Sequence, residues 1–310
     1  MINLNSIAVK QLQLILPNTN KALAEVLKNA TPQELQTLTH AKDLNSILDS
    51  LLKQSQTQES TQNKLLLELL KNNPTLKSLS SANTTLKELI QVLKQDNTSL
   101  PLQKTLENFL TNIKDIQPKE LQTKMQNSGV FLEANIKNTQ NPKELFASDI
   151  KAVLLKAHEE LSSSTQANKQ EILKHMDKLL LQIDYNQLVS HLSNASSLYI
   201  PYEWSQLKDG SITLKNAKDD KYFCDIHLNL KDYGELDLRL GLFEKNQLSI
   251  NISAKNDELR KLLEKNLPLL KKQLLHVNIT PKAIHFIDAK ENAYEKQTDE
   301  TLQMGFEVKA

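Results

Sequence analysis

Seven histidines, thirty-seven aspartates and glutamates and a single cysteine are the side chains of this sequence with the means to do chemistry. His40, His158, His175, His191, His227, His276 and His285 are dispersed, and no two stand at a metal-ligand spacing with a carboxylate in support. "HEEL" at 158 lacks the second histidine of a zincin helix. The pairs Glu159-Glu160 and Asp219-Asp220 read as solvated charge on a helix and in a turn. Cys224 falls in the inward phase of an alternating run, which makes it a small hydrophobe rather than a nucleophile. Five glycines spread over 310 residues build no phosphate-binding loop, and no serine stands in a nucleophile elbow. One constellation remains. Asp225, His227 and Asp237 would share the wet face of a sheet and could serve a hydrolase of unfamiliar type, although three polar side chains are ordinary on such a face. No enzyme, cofactor or metal is expected.

The elements that position those residues are legible from periodicity. From Leu198 onward the pattern has period two. "GSITLKN" (210–216) has strand propensity, "KYFCDIHLNLK" (221–231) puts Tyr222, Cys224, Ile226, Leu228 and Leu230 on one face, and "ELDLRLGLF" (235–243) does the same with Leu236, Leu238, Leu240 and Leu242. "NQLSINISA" (246–254) continues with Leu248, Ile250, Ile252 and Ala254. Such alternation describes antiparallel strands with one buried and one wet face, joined by hairpins at "KDYG" and "EKNQ". "NDELRKLLEKNLPLLKKQLL" (256–275) follows as a leucine-striped helix, capped at Asn256 or Asp257, and Pro268 is expected to kink or divide it. "VNITPKAIHFID" (277–288) is a closing strand whose alternation changes phase at Thr280-Pro281, the mark of a bulge or an edge strand.

Residues 1 to about 198 read instead as a series of helices. Apolar residues recur at three and four, as in Leu44, Ile47, Leu48, Leu51 and Leu52, or Leu86, Leu89, Ile90 and Leu93. "TPQEL" at 31, "QPKEL" at 117 and "NPKEL" at 141 are helix starts, with proline at the first position and an early glutamate at the positive end of the dipole. Many of these helices are short, and the polar stretches 53–64 and 162–170 carry too little apolar surface to offset the entropy of ordering. Loosely associated helices with mobile joints are the expectation. "QNSGVFLEANI" (126–136) stands apart: either Gly129 ends a helix in the left-handed conformation with Phe131 anchoring the next segment, or the phrase is a docking motif.

Composition divides the chain at the same place. Three aromatic residues precede Asp184 (Phe109, Phe131, Phe146) and eleven follow it, so the best core is expected at the C-terminal end. The net charge of +1, with scattered lysines, offers no field for nucleic acid or an anionic membrane. One cysteine excludes an internal disulfide and suits a reducing compartment. The longest apolar run, "LLLELL" at 65–70, is too short to cross a bilayer, and the N-terminus does not read as a cleaved secretory signal.

The stretch from about 198 to 288 resembles the C-terminal domain of the flagellar hook-length control protein family. "LNLKDYGELDLRLGLFEKNQLSINISAKNDELRKLLEKNLPLLKKQLL" carries the likeness: Gly234 at the turn, Leu236 and Leu238 after it, then Arg260 with Leu263, Leu267, Leu270 and Leu274 on the helix. "SGVFLEANI" looks like a "SGLFLE" element of longer members. The chain departs from the family at Lys231-Asp232-Tyr233, where a proline often precedes a Leu-Gly pair, and at Leu275-His276, where the family helix commonly ends in glycine.

The resemblance implies a non-enzymatic regulator of flagellar assembly, exported without a cleaved signal by the flagellar type III apparatus. Residues 1–198 would be the exportable, ruler-like helical region, 199–290 a compact switch domain, and 291–310 a polar tail. The implied partners are the cytoplasmic domain of an inner-membrane export-gate protein and hook or hook-cap subunits, with no nucleic acid and no membrane insertion. Asp237 and Arg239 on the wet side of the strand and Asp232 and Tyr233 at its tip remain available to such a partner, and with Gly234 and Arg260 they are the implied contact residues. The expected fold is α+β: a mostly helical, loosely packed N-terminal region, then β-β-β-β-α-β with one mainly antiparallel sheet covered by a helix. A helical adaptor or chaperone-like binder, with the sheet as scaffold, is the alternative.

Overall fold

In the computed structural model of the chain, the described residues are 20–29, 31, 61–79, 81–95, 100–139, 141–165, 168–193, 195–217 and 221–287. They divide into two compact units, one of residues 1–205 with 209–213 and one of 206–208 with 214–310.

The first unit is built on helices α1 (Lys21–Asn29), α2 (Thr61–Asn72), α3 (Pro74–Lys77), α4 (Ala82–Gln95), α5 (Leu100–Glu107), α6 (Pro118–Gln126), α7 (Leu132–Asn138), α8 (Pro142–Ser148), α9 (Ile150–Ser162) and α10 (Lys169–Ser193). Two of the three proline phrases start helices as expected. Pro118 opens α6, and Pro142 opens α8 with Asn141 accepting a hydrogen bond from the Glu144 amide. The phrase at 31 lies, beyond Thr31, outside the described residues, as do the 44–52 helix and most of the 53–64 stretch, whose last four residues begin α2.

The 25-residue α10 organises this unit. It packs against α1, α2, α4 and α9 and against a short strand, β1 (Ser196–Tyr199). Ile172, Met176, Leu179 and Ile183 join Leu89, Leu93 and Leu154 in one cluster, and Leu188 joins Leu23, Leu66 and Leu70 in another. Neighbours on several sides give these short helices the tertiary contacts that they lack alone. β1, four residues long, is a strand in a stretch expected to be helical to about 198.

The sheet follows the period-two reading closely. After β1 come β2 (Leu207–Ala217), β3 (Lys221–Leu230), β4 (Gly234–Phe243), β5 (Gln247–Ala254) and β6 (Thr280–Phe286), hydrogen-bonded in that order, with α11 (Asp257–His276) between β5 and β6. The antiparallel register sets Leu228 opposite Leu236, Ile226 opposite Leu238 and Cys224 opposite Leu240. Leu238, Leu240 and Leu242 in turn face Ile252, Ile250 and Leu248. All the apolar phases therefore meet on one face. β6 returns parallel to β5 through α11, which makes the sheet mixed, and the register shifts at Leu248/Ser249 where Lys282 is the extra residue on this edge strand. That is the bulge anticipated at Pro281.

Asn256 caps α11 by accepting from the Leu259 amide at 3.0 Å. Pro268 does not divide the helix, which runs through it unbroken from Asp257 to His276. Of the leucine stripe Leu259 is fully buried, while Leu263, Leu267, Leu270 and Leu274 are half-buried.

Two glycines with positive φ sit in different surroundings. Gly234 (φ +74°) closes the β3–β4 hairpin and has open space where a Cβ would stand. Gly129 (φ +84°) would place a Cβ 2.8 Å from Lys151 Cβ and 3.1 Å from Ile183 Cγ2. Gly234→Ala is expected to cost about 1 kcal/mol of unfolding free energy from backbone strain alone, and Gly129→Ala about 3 kcal/mol, because a clash adds to the strain. Denaturant unfolding of the two variants checks this, and equal losses would contradict the packing described for Gly129.

Candidate interaction surfaces

The polar face of the sheet is an array of cross-strand pairs. Asp225 and Arg239 are opposite in register, and Asp225 Oδ1 accepts from Arg239 Nε at 2.7 Å. One row along, His227 Nδ1 lies 2.6 Å from Asp237 Oδ1. Glu235 meets Lys255 beyond them. Of the Asp225, His227 and Asp237 trio, Asp225 is thus engaged by a guanidinium, and His227 and Asp237 by each other. Cys224 belongs to the opposite face, and its thiol is pushed up to about 11 by burial and by Asp225, which keeps it protonated at neutral pH.

The six implied contact residues do not form one patch. Asp232, exposed, and Tyr233, half-buried, occupy the tip of the β3–β4 hairpin that Gly234 closes. Asp237 and Arg239 lie mid-strand on the polar face, already committed to His227 and Asp225. Arg260 belongs to α11, where its guanidinium lies 5.5 Å from the centroid of the Phe286 ring, a cation–π arrangement. Phe286 shares its row with Ile252, so Arg260 works on the apolar side of the sheet.

Sequence reading missed an aromatic pair on the polar face. Phe223 and Phe243 meet edge to face with centroids 5.8 Å apart. Gly241, opposite Phe223, makes room for them: a Cβ there would stand 2.8 Å from the Phe243 ring. A glycine in the polar phase of a strand flanked by aromatics was the available signal.

A second candidate surrounds the "SGVFLE" phrase in the first unit. Ser128, Gly129 and Val130 are buried. Gln187 Nε2 donates to the carbonyls of Gly129 and Val130, both at 3.1 Å, and Tyr199 Oη donates to that of Ser128 at 3.0 Å. Lys151 Nζ lies 2.7 Å from Glu133 Oε1 and 3.0 Å from Asp184 Oδ1, and Asp184 Oδ2 accepts from the Lys21 amide at 2.8 Å. Of the two readings of this phrase the positive φ of Gly129 fits the left-handed turn, but the anchors are Val130 and Leu132, 7% and 0% exposed, with Phe131 only half-buried.

The charges of this clasp are perturbed. Burial works against the Lys151 ammonium, yet Asp184 and Glu133 outweigh it and hold the group above its ordinary range. Asp149 caps α9 through the Lys151 and Ala152 amides at 2.9 and 3.2 Å. Burial nevertheless pushes its carboxyl up to about 7, because those two donors and the Lys151 charge offset only part of the desolvation. Elsewhere, His158 lies 3.2 Å from Asp177 and His175 3.6 Å from Glu88, so both are half-buried partners of carboxylates. Among the described residues no group of His, Cys, Asp and Glu could hold a metal ion, and no helix is long and apolar enough to cross a membrane.

Residues 211–294 match the family model described as flagellar hook-length control protein FliK. The C-terminal segment is similar to that family's domain. The match begins within β2, takes in β3, β4, β5, α11 and β6, and leaves residues 1–210 outside. No curated protein and no solved structure matches the chain.

A raised carboxyl pKa fixes the sign of a pH effect. Asp149 contributes stability that is fully present below its unfolded value near 4 and is lost as pH rises through about 7. Asp149→Asn keeps an oxygen for the cap and cannot ionise. Between pH 5 and 8 the wild-type chain should therefore lose on the order of 2–3 kcal/mol of stability that the variant retains. Parallel denaturant unfolding at the two pH values measures the difference, and identical pH slopes would rule out a buried, titrating Asp149.

Proposed function

We propose that this chain is a non-enzymatic regulator of bacterial flagellar assembly, which controls hook length and switches type III export from rod and hook subunits to filament subunits. The observation that carries this reading is the family match over 211–294, which coincides with the folded strands β3–β6 and α11. In this reading the C-terminal unit is the switch, and its partner is the cytoplasmic domain of the inner-membrane export-gate protein. The hairpin tip, with Asp232 exposed and Tyr233 half-buried, is the first point of contact. Asp237 and Arg239 contribute by exchanging their cross-strand partners for groups on the gate, and Arg260 by orienting α11. Hook or hook-cap subunits meet the N-terminal region during export through the flagellar apparatus.

A second reading has an observation of its own. The fully buried leucines around α10 suit a stable helical bundle acting as an adaptor or chaperone-like binder. A bundle of that kind protects its amides throughout α4, α9 and α10, whereas an exportable ruler opens them on the way to a narrow channel. Hydrogen exchange separates the two. Slow exchange in those helices, limited by global unfolding, favours the adaptor. Rapid sub-global opening favours the exported regulator.

Deletion of the gene, followed by electron microscopy of hook-basal bodies, tests the primary reading. Long, uncontrolled hooks without filaments are expected. Hooks of normal length with normal swimming would sink the assignment.

A further inference from the structure

The apolar face of the C-terminal sheet is only partly covered by described residues. α11 packs on β5 and β6, and under it Leu248, Ile250 and Ile252 are 8%, 5% and 3% exposed. On β3 and β4 the same face continues through Cys224, Leu240 and Leu242, which are half-buried, and ends at Tyr222, which is 47% exposed. The helix has a matching bare flank. Arg260 reaches over Phe286 on β6, and at 3.6 residues per turn Leu262 and Leu269 lie about 180° around the helix from it, on the side of β4. Both are exposed, at 46% and 54%. Sheet floor and helix flank together make an apolar trough; by the same spacing Lys265 and Lys272 are the lysines of the second half of α11 nearest to it, Lys271 falls with Arg260 on the other side, and no acidic residue follows Glu264 in the helix.

The geometry points to the chain's own C-terminal segment, Leu302–Val308, as the occupant of this trough. The segment lies beyond residue 294, where the family match ends, so nothing in that match assigns it a role. Its sequence, "LQMGFEV", places Leu302, Met304, Phe306 and Val308 in strict alternation, which in an extended backbone gives one wholly apolar edge. Its charge is complementary. Residues 295–310 hold Glu295, Asp299, Glu300 and Glu307 against Lys296 and Lys309, a net charge of −2 against Lys265 and Lys272 at the rim of the trough. Its tether is long enough: the fifteen residues between Phe286 and Leu302 reach about 50 Å when extended, and β6 to β3 is three strand spacings, about 15 Å. Docked there, the segment covers Leu262, Leu269, Leu240 and Leu242, and its release bares an apolar surface at the end of β3 and β4 away from the hairpin tip.

Cys224, the single cysteine, lies on the floor of the trough and reports its cover. The experiment compares alkylation of Cys224 by iodoacetamide in the full chain with that in the Met304→Ser/Phe306→Ser chain and in a Gln303→Ser control. Loss of two apolar anchors should accelerate alkylation about tenfold or more, while the control matches the wild type. A synthetic peptide of residues 295–310 should restore protection to the doubly substituted chain. In a second measurement, the Phe306→Cys chain under mild oxidation should close an internal disulfide with Cys224 that the Gln303→Cys chain does not form. Equal alkylation rates in all chains, or no difference between the two disulfide tests, would overturn the assignment. Wild-type protection that disappears on dilution would also overturn it, since a second copy would then be the occupant. These readouts are chemical and stand whether or not the hook-length reading holds.

Discussion

A helix about 10 Å across covers two strands spaced about 4.8 Å apart, and this mismatch governs the C-terminal unit. Register brings the alternating leucines of β3, β4 and β5 onto one face, and the parallel crossover through α11 places a single helix over β5 and β6. What that helix reaches is buried. Beyond it Leu228, Leu230 and Leu236 are buried as well, while Tyr222 is exposed and Leu240 and Leu242 are half-buried, which leaves an apolar area at that end of the sheet. The polar face has the opposite character, since its charges are already matched in pairs across the strands. A partner arriving there must exchange one ion pair for another, which gives specificity more readily than affinity.

In the first unit the organising feature is electrostatic as much as apolar. Lys151 is 6% exposed and is held by Glu133 and Asp184, while Gln187 fastens the Gly129 turn to the same place. A buried charge with good partners contributes little net stability, but removing one partner leaves the other uncompensated. Such a cluster therefore makes the local fold all-or-none. The half-titrated Asp149 beside it means that near neutral pH the same cluster also carries a cost.

The strands of the C-terminal unit were legible because alternation survives wherever one face is buried and the other is wet. Leu236, Leu238, Leu240 and Leu242 show it cleanly, and the cap at Asn256 and the bulge at Pro281 follow from local chemistry. Central α10 was less legible for a physical reason: with neighbours on several sides it buries Gln182, Asp184 and Asn186 alongside its leucines, which blurs the helical stripe. β1 is too short to alternate visibly. Lys151 looked like any solvated lysine, and only its place inside the apolar run "IKAVLL" hinted that it is buried. The implied contact residues were each placed on their correct element, but spacing along a strand does not reveal that Asp237 and Arg239 already have partners, or that Arg260 works from the other face.

The central claim is that the C-terminal sheet and helix act as a switch that is separable from export of the chain. The most direct measurement follows proteins released to the medium by cells carrying the Leu236→Asp/Leu238→Asp chain. Those changes put unpaired charges into the apolar face and unfold the C-terminal unit. The account predicts that the substituted chain itself still appears outside, while filament subunits do not. Normal release of filament subunits alongside the substituted chain would contradict it.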